Sequence, residues 1–337
     1  MKLVFHHRLT ESDWFTFLLS DVVDEVTYDP DYTDTAGPAI HVFSGNVVPL
    51  RGRSAFFQQC RANSDNVTLL HASDEWYSGS YDEYRHFDRV IRNHRTWLVR
   101  SPGIFSIPVG YPNGLIGPER LTPANERKYL WSFKGEIKAS RVQMVEALKG
   151  VEPSFIRDSN GPWLSFDEYR GLLLDSVFLP CPMGNVVAET WRLYEGLEFG
   201  CIPIVEKRWG IDYYRGLFGA DPFLRVGSWG EAGRLMRDLA ASPDELLRLQ
   251  RTTVKWWSDA KVRVKQDLTA FMRGPSHAAE LQAFAKLPRN RVPQLHEPLR
   301  LMELLRHQSI GSLAQRLAKP GKILSRIRRD MDRRPTE

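Results

Sequence analysis

Arg192 and Glu195 stand three residues apart in a stretch whose other members are Trp191, Leu193, Tyr194, Leu197 and Phe199. At helical spacing the two charges share a face. A helix with so little polar surface is buried on most sides, and a charged pair inside it costs desolvation energy unless each member finds partners. Two readings stand open. The pair is structural and pins helix to sheet, or it points into a cleft where Glu195 accepts hydrogen bonds from sugar hydroxyls. The turn formers Pro182, Gly184 and Asn185 just upstream favour the second.

Asp74 and Glu75 are adjacent carboxylates that follow an apolar run at 67–71, beside His71 and Trp76. In an open α/β sheet, ligands sit outside the carboxyl ends of the strands, so these groups are candidates to take a proton from a substrate. Spacing alone equally allows Ser73 or Asp74 to cap a short helix. Lys134, Lys138 and Arg141 form a third group. A cation near a helix start opposes the helix dipole, so Arg141 needs a reason to be there, and an anion supplies one. Lys138 reads better as solvated.

These residues need elements to hold them. Residues 176–180 read as a strand, 182–185 as a turn, 188–199 as a helix with Gly200 as its C-terminal cap, and 201–205 as a second strand. Strand, turn and helix in that order set the helix start at the sheet end, where the free N–H groups of 186–189 face an anion. Upstream, strands are expected at 2–6, 39–44, 67–71, 87–93 and 105–111, with helices at 13–19 and 53–61. The acidic stretch 21–34 carries no strand signal, and the Pro- and Gly-rich stretch 112–126 reads as a linker. Downstream come a strand at 128–133, a helix through Arg141 and Leu148, a strand and loop at 151–160, and helices at 165–174, 228–239 and 242–273. Ser242 is expected to cap the last of these, followed by Pro243. Alternation of this kind in both halves predicts two doubly wound α/β domains, at 1–120 and 121–287, followed by a tail at 288–337.

The central stretch resembles the donor-binding segment of exostosin-type glycosyltransferases and of the ribitol xylosyltransferase C-terminal domain. The residues that carry the resemblance are Pro182, Gly184, Asn185, Thr190, Arg192, Glu195, Gly200, Ile202, Pro203 and Ile204. Met183 stands where that family usually has Arg, so one phosphate contact is missing or supplied elsewhere. Gly196 stands where it usually has Ala, a packing change. The resemblance implies a GT-B arrangement, two Rossmann-like domains facing a cleft. It implies a nucleotide sugar, a UDP-sugar by preference, on the C-terminal domain, with its base and ribose near Glu195. Lys134, Arg141, Pro182, Gly184, Asn185, Thr190 and Arg192 complete the donor set. It places the acceptor on the N-terminal domain near Arg92 and Asn93, with Asp74 and Glu75 as the catalytic carboxylates and His71 behind them. The expected activity is inverting transfer of a sugar to a glycan or glycolipid in surface polysaccharide synthesis. Phosphotransfer from a CDP-polyol and a non-catalytic nucleotide-sugar- or glycan-binding module are the alternatives.

Composition sets the outer limits. The chain has 337 residues, enough for two domains, and its 42% hydrophobic content is that of an ordinary globular protein. Cys60, Cys181 and Cys201 form no CxxC pair, which argues against a disulfide framework or a zinc site, and the last two read as small buried residues. The net charge of +5 gathers after Arg289. Those basic residues are not interleaved with aromatics, so nucleic acid is not an expected partner. The tail is amphipathic as well as basic, which suits either peripheral contact with an anionic membrane or a solvated segment. With no signal peptide or membrane span in view, a cytoplasmic location is expected. Asp29-Pro30-Asp31 and Asp330-Met331-Asp332 are the available Asp-x-Asp pairs and neither follows a strand, so the expected chemistry needs no metal and no cofactor besides the donor.

Overall fold

A computed structural model describes residues 1–45, 50–138, 140–159, 164–184, 186–207 and 212–307. They form two sheets. The first holds β1 (Lys2–Phe5), β2 (Glu25–Tyr28), β3 (Ala39–Ser44), β4 (Val67–Ala72), β5 (Arg89–Arg92) and β6 (Ile104–Ser106), in the order β2-β1-β3-β4-β5-β6. The second holds β7 (Tyr129–Lys134), β8 (Ser154–Arg157), β9 (Ser176–Cys181), β10 (Ile202–Glu206) and β11 (Leu224–Val226), in the order β11-β10-β9-β7-β8. Every described pairing is parallel. Parallel strands covered on both faces bury every side chain, as β3, β4 and β9 do, and this is why they read as apolar runs. The expected fold class, two doubly wound α/β sheets, is what the chain adopts.

Each sheet reverses its winding once. β1 lies between β2 and β3, and β7 lies between β8 and β9. Such switch points open a crevice beyond the carboxyl ends of the two strands that part. The loops after β1 and β3 therefore flank one crevice, and those after β7 and β9 flank the other.

Four readings of the sequence are corrected. β2 lies inside the acidic stretch 21–34. It is an edge strand with Val26 and Tyr28 half exposed, so it leaves no apolar run to find. β6 stops at Ser106, and 107–111 is a buried loop that Trp14 holds by donating its Nε1–H to the Pro108 carbonyl at 3.0 Å. The central helix, α5 (Trp191–Glu198), starts three residues late, because Thr190 is extended at φ −142°. The free amides at its start thus belong to Trp191 onward, while Val186 and Val187 are buried in a turn. Ser242 makes no side-chain cap to α8 (Pro243–Arg273), although Pro243 does open that helix.

The remaining helices of the two sheets are α1 (Ser12–Leu19), α2 (Ser54–Asn63), α3 (Ser140–Leu148), α4 (Phe166–Leu174), α6 (Tyr213–Phe218) and α7 (Trp229–Ala240). Ser165 caps α4 with a full capping box and Ser228 caps α7, because each hydroxyl takes a first-turn amide. The stretch 112–126 is pinned rather than loose. Asn113 donates to the Leu9 carbonyl at 2.9 Å, and Leu115 and Ala124 are buried.

α8 joins the two sheets. Near its start Gln250 donates to the Gly200 carbonyl at 3.0 Å, and near its end the Phe271 carbonyl accepts from Arg89 Nε at 3.1 Å. Between them Trp257 stacks on Trp14 of the first half at 5.9 Å and tilts against Tyr194 of α5 at 5.7 Å. Three helices follow, α9 (Ala278–Ala285), α10 (Pro288–Arg291) and α11 (Pro293–His307). They return to the first sheet, where Phe284 stacks on Tyr84 and His296 Nε2 lies 2.7 Å from the Tyr77 carbonyl. The part of the tail at 308–337 lies outside the described residues, as do Asn185 and Trp209. Among the described residues no helix is long and apolar enough to cross a membrane. All three cysteines are free and buried.

Gly196 answers to packing. A Cβ there would lie 2.6 Å from Leu179 Cδ2 on β9. Overpacking costs about 1–3 kcal/mol and helix propensity returns up to about 1 kcal/mol. Gly196→Ala is expected to lower stability by about 1 kcal/mol in denaturant titration, and Leu179→Ala should restore room for it.

Candidate active site

In the first half, the carboxyl ends of β4 and β5 converge. Past Ala72 the chain turns at Ser73, whose φ is +56°. Asp74, 1% exposed, accepts from the Ser78 amide at 2.9 Å through Oδ1, and from Tyr81 at 2.6 Å and Arg92 at 3.4 Å through Oδ2. Arg92 is wholly buried, and its Nη1 has no partner among the described residues. Asn93 Oδ1 accepts from the Ser73 amide at 2.8 Å, which leaves its Nδ2 unmatched among the described residues. Asp74, from the loop after β4, and the adjacent Arg92 and Asn93, from the end of β5, are thus one assembly. His71 belongs to it too. Its Nδ1 lies 2.8 Å from the Tyr84 hydroxyl, and burial pulls its pKa down to about 4, so the ring is neutral near pH 7. Three donors already claim the Asp74 carboxylate. Glu75, half-buried, is the member whose charge reaches the other half, where it favours the charged form of Arg141.

Two residues on this side carry no motif and escape sequence reading. Glu11, just before α1, is 1% exposed, accepts from Ser73 Oγ at 2.9 Å, and is raised above the ordinary glutamate range by burial. Neither ring nitrogen of His7 has a partner among the described residues, and burial brings its pKa down to about 4. Both follow β1 at the first switch point. Only the strand order identifies them, and no local spacing gives it.

The second half gathers cations. The Lys134 carbonyl at the end of β7 accepts from Arg192 Nη2, and the Arg192 guanidinium lies 4.2 Å from the centre of the Phe133 ring. Gly135 is what permits this approach, since a Cβ there would sit 2.6 Å from that Nη2. Arg192 Nη1 is buried without a partner among the described residues, and so is Thr190 Oγ1 at the start of α5, which makes no cap bond. Arg141 Nη1 donates to the Glu136 carbonyl at 3.1 Å. Burial, and then the nearby Arg192, bring Arg141 down to about 10. The two guanidinium groups at the β7/β9 crevice thus carry like charges that an anion between them would relieve.

Glu195 is not sealed against Arg192. It is 8% exposed, and Tyr169 of α4 donates to its Oε2. Lys134 Nζ lies 4.8 Å from the centre of the Tyr169 ring, and burial lowers this lysine against the pull of Glu195. Pro182 is buried, and Met183 is 5% exposed within the interior. The Gly184 amide donates to the Val187 carbonyl at 2.8 Å, closing the turn. Just before Thr190, Glu189 ties the halves together. Its buried carboxylate accepts from the Val109 amide of the first half at 2.7 Å, from Tyr213 at 2.6 Å, and from Tyr194. Of the aromatics that follow β10, Tyr213 thus serves this tie and Trp229 fills the core. Among the described residues no group of three or more His, Cys, Asp or Glu side chains is placed to hold a metal ion.

No family model matches the chain. Ribitol-5-phosphate xylosyltransferase 1 of Danio rerio is 25% identical over 199 residues, which cover 51% of this chain and 45% of that protein. The match therefore spans less than half the length of that relative. Among solved structures, the T4 phage β-glucosyltransferase is similar with a TM-score of 0.48 at 10% identity, over 81% of this chain and 100% of that one. Anabaena Alr3699/HepE in complex with UDP and glucose gives 0.44 at 11% identity, over 80% and 98%.

Proposed function

We propose that the chain is a glycosyltransferase that moves a sugar from a nucleotide sugar, a UDP-sugar by preference, to a glycan or glycolipid acceptor. The observation that carries this reading is the pair of unmatched groups, Arg192 Nη1 and Thr190 Oγ1, beside Arg141 at the switch point of the second sheet. Buried donors without acceptors are costly, and a bound diphosphate would satisfy them. The motif resemblance at 182–204 and the xylosyltransferase name of the Danio rerio relative support the same reading.

In this scheme the donor lies on residues 121–287, with the ribose against Glu195 and the diphosphate against Arg192, Arg141, Thr190, Lys134 and the Gly184 turn. Negative charge grows on the leaving diphosphate as the glycosidic bond breaks, and fixed cations placed there lower the barrier. The acceptor lies on residues 1–120 near Arg92 and Asn93. Glu75, with Asp74 holding its loop, takes the hydroxyl proton as the oxygen attacks the anomeric carbon from the opposite face, which inverts it. Cationic side chains do the work a divalent ion does elsewhere, so transfer is metal-independent. Surface polysaccharide assembly in the cytoplasm, with the basic tail against an anionic membrane face, is the setting that suits these parts.

The test is incubation of the protein with UDP-sugars and oligosaccharide acceptors, with the nucleotide product identified by chromatography. Release of UDP that survives chelation is expected. Release of CMP from a CDP-polyol would replace this reading with phosphotransfer, and binding of UDP without release from any donor would replace it with a binding module.

A further inference from the structure

α11 carries its apolar stripe on the outside. A surface helix ordinarily lays such a stripe on the body it covers and turns polar side chains to water. Here His296, Glu303 and Leu304 are buried. The inner face is held by polar contacts to the first half, with His296 Nε2 2.7 Å from the Tyr77 carbonyl and Arg300 Nη1 donating to the Trp76 carbonyl at 3.4 Å. Leu295, Leu301, Met302 and Leu305 are exposed, the first three by more than half. At helical spacing these four share one arc of about 120° with the exposed Pro298. Leu287 and Val292, at the two ends of α10, are exposed as well. Six of the fourteen large apolar side chains exposed among the described residues therefore fall within 287–305. Single exposed apolar residues are ordinary, but a gathering of this kind marks a contact face. Lys286 and Arg291 are exposed in the same segment. The sequence that follows α11, 308–337, has eight basic and three acidic residues, an excess equal to the +5 net charge of the whole chain.

We propose that the outer face of α11 is a seat on an anionic lipid bilayer, with Leu295, Leu301, Met302 and Leu305 entering the boundary between headgroups and acyl chains. The basic tail supplies long-range attraction and α11 supplies the apolar contact, and an interfacial helix needs both. Charge selects this partner over a second copy of the chain. Two copies joined through α11 would bring two basic tails together, whereas an anionic surface attracts each of them, by about fivefold in affinity for every Lys or Arg held near it. The seat extends the membrane setting given above from the basic tail to a packed helix. It does not depend on the transferase reading, because binding to lipid is measured without turnover.

The experiment is cosedimentation of the full chain with vesicles of phosphatidylcholine alone and of phosphatidylcholine mixed with phosphatidylglycerol. It is repeated on the double variant Leu301→Gln with Met302→Gln, and on Val262→Gln, which alters an exposed apolar side chain of α8. Glutamine keeps helix propensity and adds no charge, so the tail's attraction is left as it was. The wild type is expected to bind the mixed vesicles, to be released by added salt, and to bind phosphatidylcholine alone far more weakly. The double variant should bind the mixed vesicles about tenfold more weakly at every salt concentration, and Val262→Gln should bind as the wild type does. Both variants should melt within about 2 °C of the wild type, because the altered side chains are exposed. If the double variant binds as tightly as the wild type, the tail acts alone and the proposal is wrong. A wild type that ignores both kinds of vesicle also overturns it. A wild-type dimer that the double variant dissociates would give the face to a second copy instead. A double variant that melts far lower, or does not fold, would mean that the chain covers the stripe itself.

Discussion

Arg141→Met should bind UDP at least about a hundredfold more weakly than the wild type while melting no lower. Opposite signs in binding and stability are unusual, and they follow from the neighbours of this side chain. Among the described residues Arg141 has one hydrogen bond, to the Glu136 carbonyl, and the like charge of Arg192 acts on it more strongly than either Glu136 or Glu75. Burial and that repulsion are what pull it down to about 10, which means the folded chain holds this cation at a cost. Methionine keeps an unbranched stem and removes the charge, so the fold loses little and sheds a repulsion. On the proposed donor reading the ligand loses a cation facing its diphosphate, and a hundredfold is about 2.7 kcal/mol, within the range for one such contact. Calorimetric titration with UDP and a scanning melt of the unliganded protein read the two effects separately. Unchanged affinity would mean that the phosphates lie elsewhere.

Glu189→Ala is expected to cost about 3–5 kcal/mol of stability. The substitution strips the acceptor from the buried Val109 amide and from the Tyr194 and Tyr213 hydroxyls at once. Glu189→Gln keeps an oxygen for two of the three and should be far milder. It also isolates a pH effect. Burial, working against the hydrogen bonds, raises Glu189 above the usual value of 4.5. The folded chain then binds this proton more tightly than the unfolded one, so the contribution is fully present below about 4.5 and is lost as pH rises through the folded value. Denaturant titrations over pH 4–8 should show a falling component in the wild type that is absent from Glu189→Gln.

The fold was legible where burial leaves an apolar run. β3, β4 and β9 are buried throughout and read as strands, and the helices expected at 165–174 and 228–239 are α4 and α7. β2 was hidden because an edge strand needs no apolar face, and the late start of α5 because Glu189 spends its side chain on tertiary partners that no propensity scale contains. The same division holds for the site. Asp74, Arg92 and Asn93 were visible as polar residues at strand ends, and Arg192 with Glu195 as charges in a greasy helix. That Arg92 grips Asp74, and that Tyr169 rather than Arg192 meets Glu195, depends on how segments far apart in sequence cross. Glu11 and Glu189 show the limit most clearly. Each is a lone carboxylate with no motif, and only the strand order and the contact between the halves give it a place.

The path of α8 decides how this molecule can be cut and recombined. The helix holds the second half from Gln250 to Lys261 and reaches the first by Phe271, and α9 and α11 pack on the first half. A chimera that exchanged the second half with a relative at a single seam near residue 120 would therefore leave the first half without the helices α9 to α11 that cover it. The exchangeable cassette is an internal one, entered after Tyr111 and left within α8, with both seams designed together.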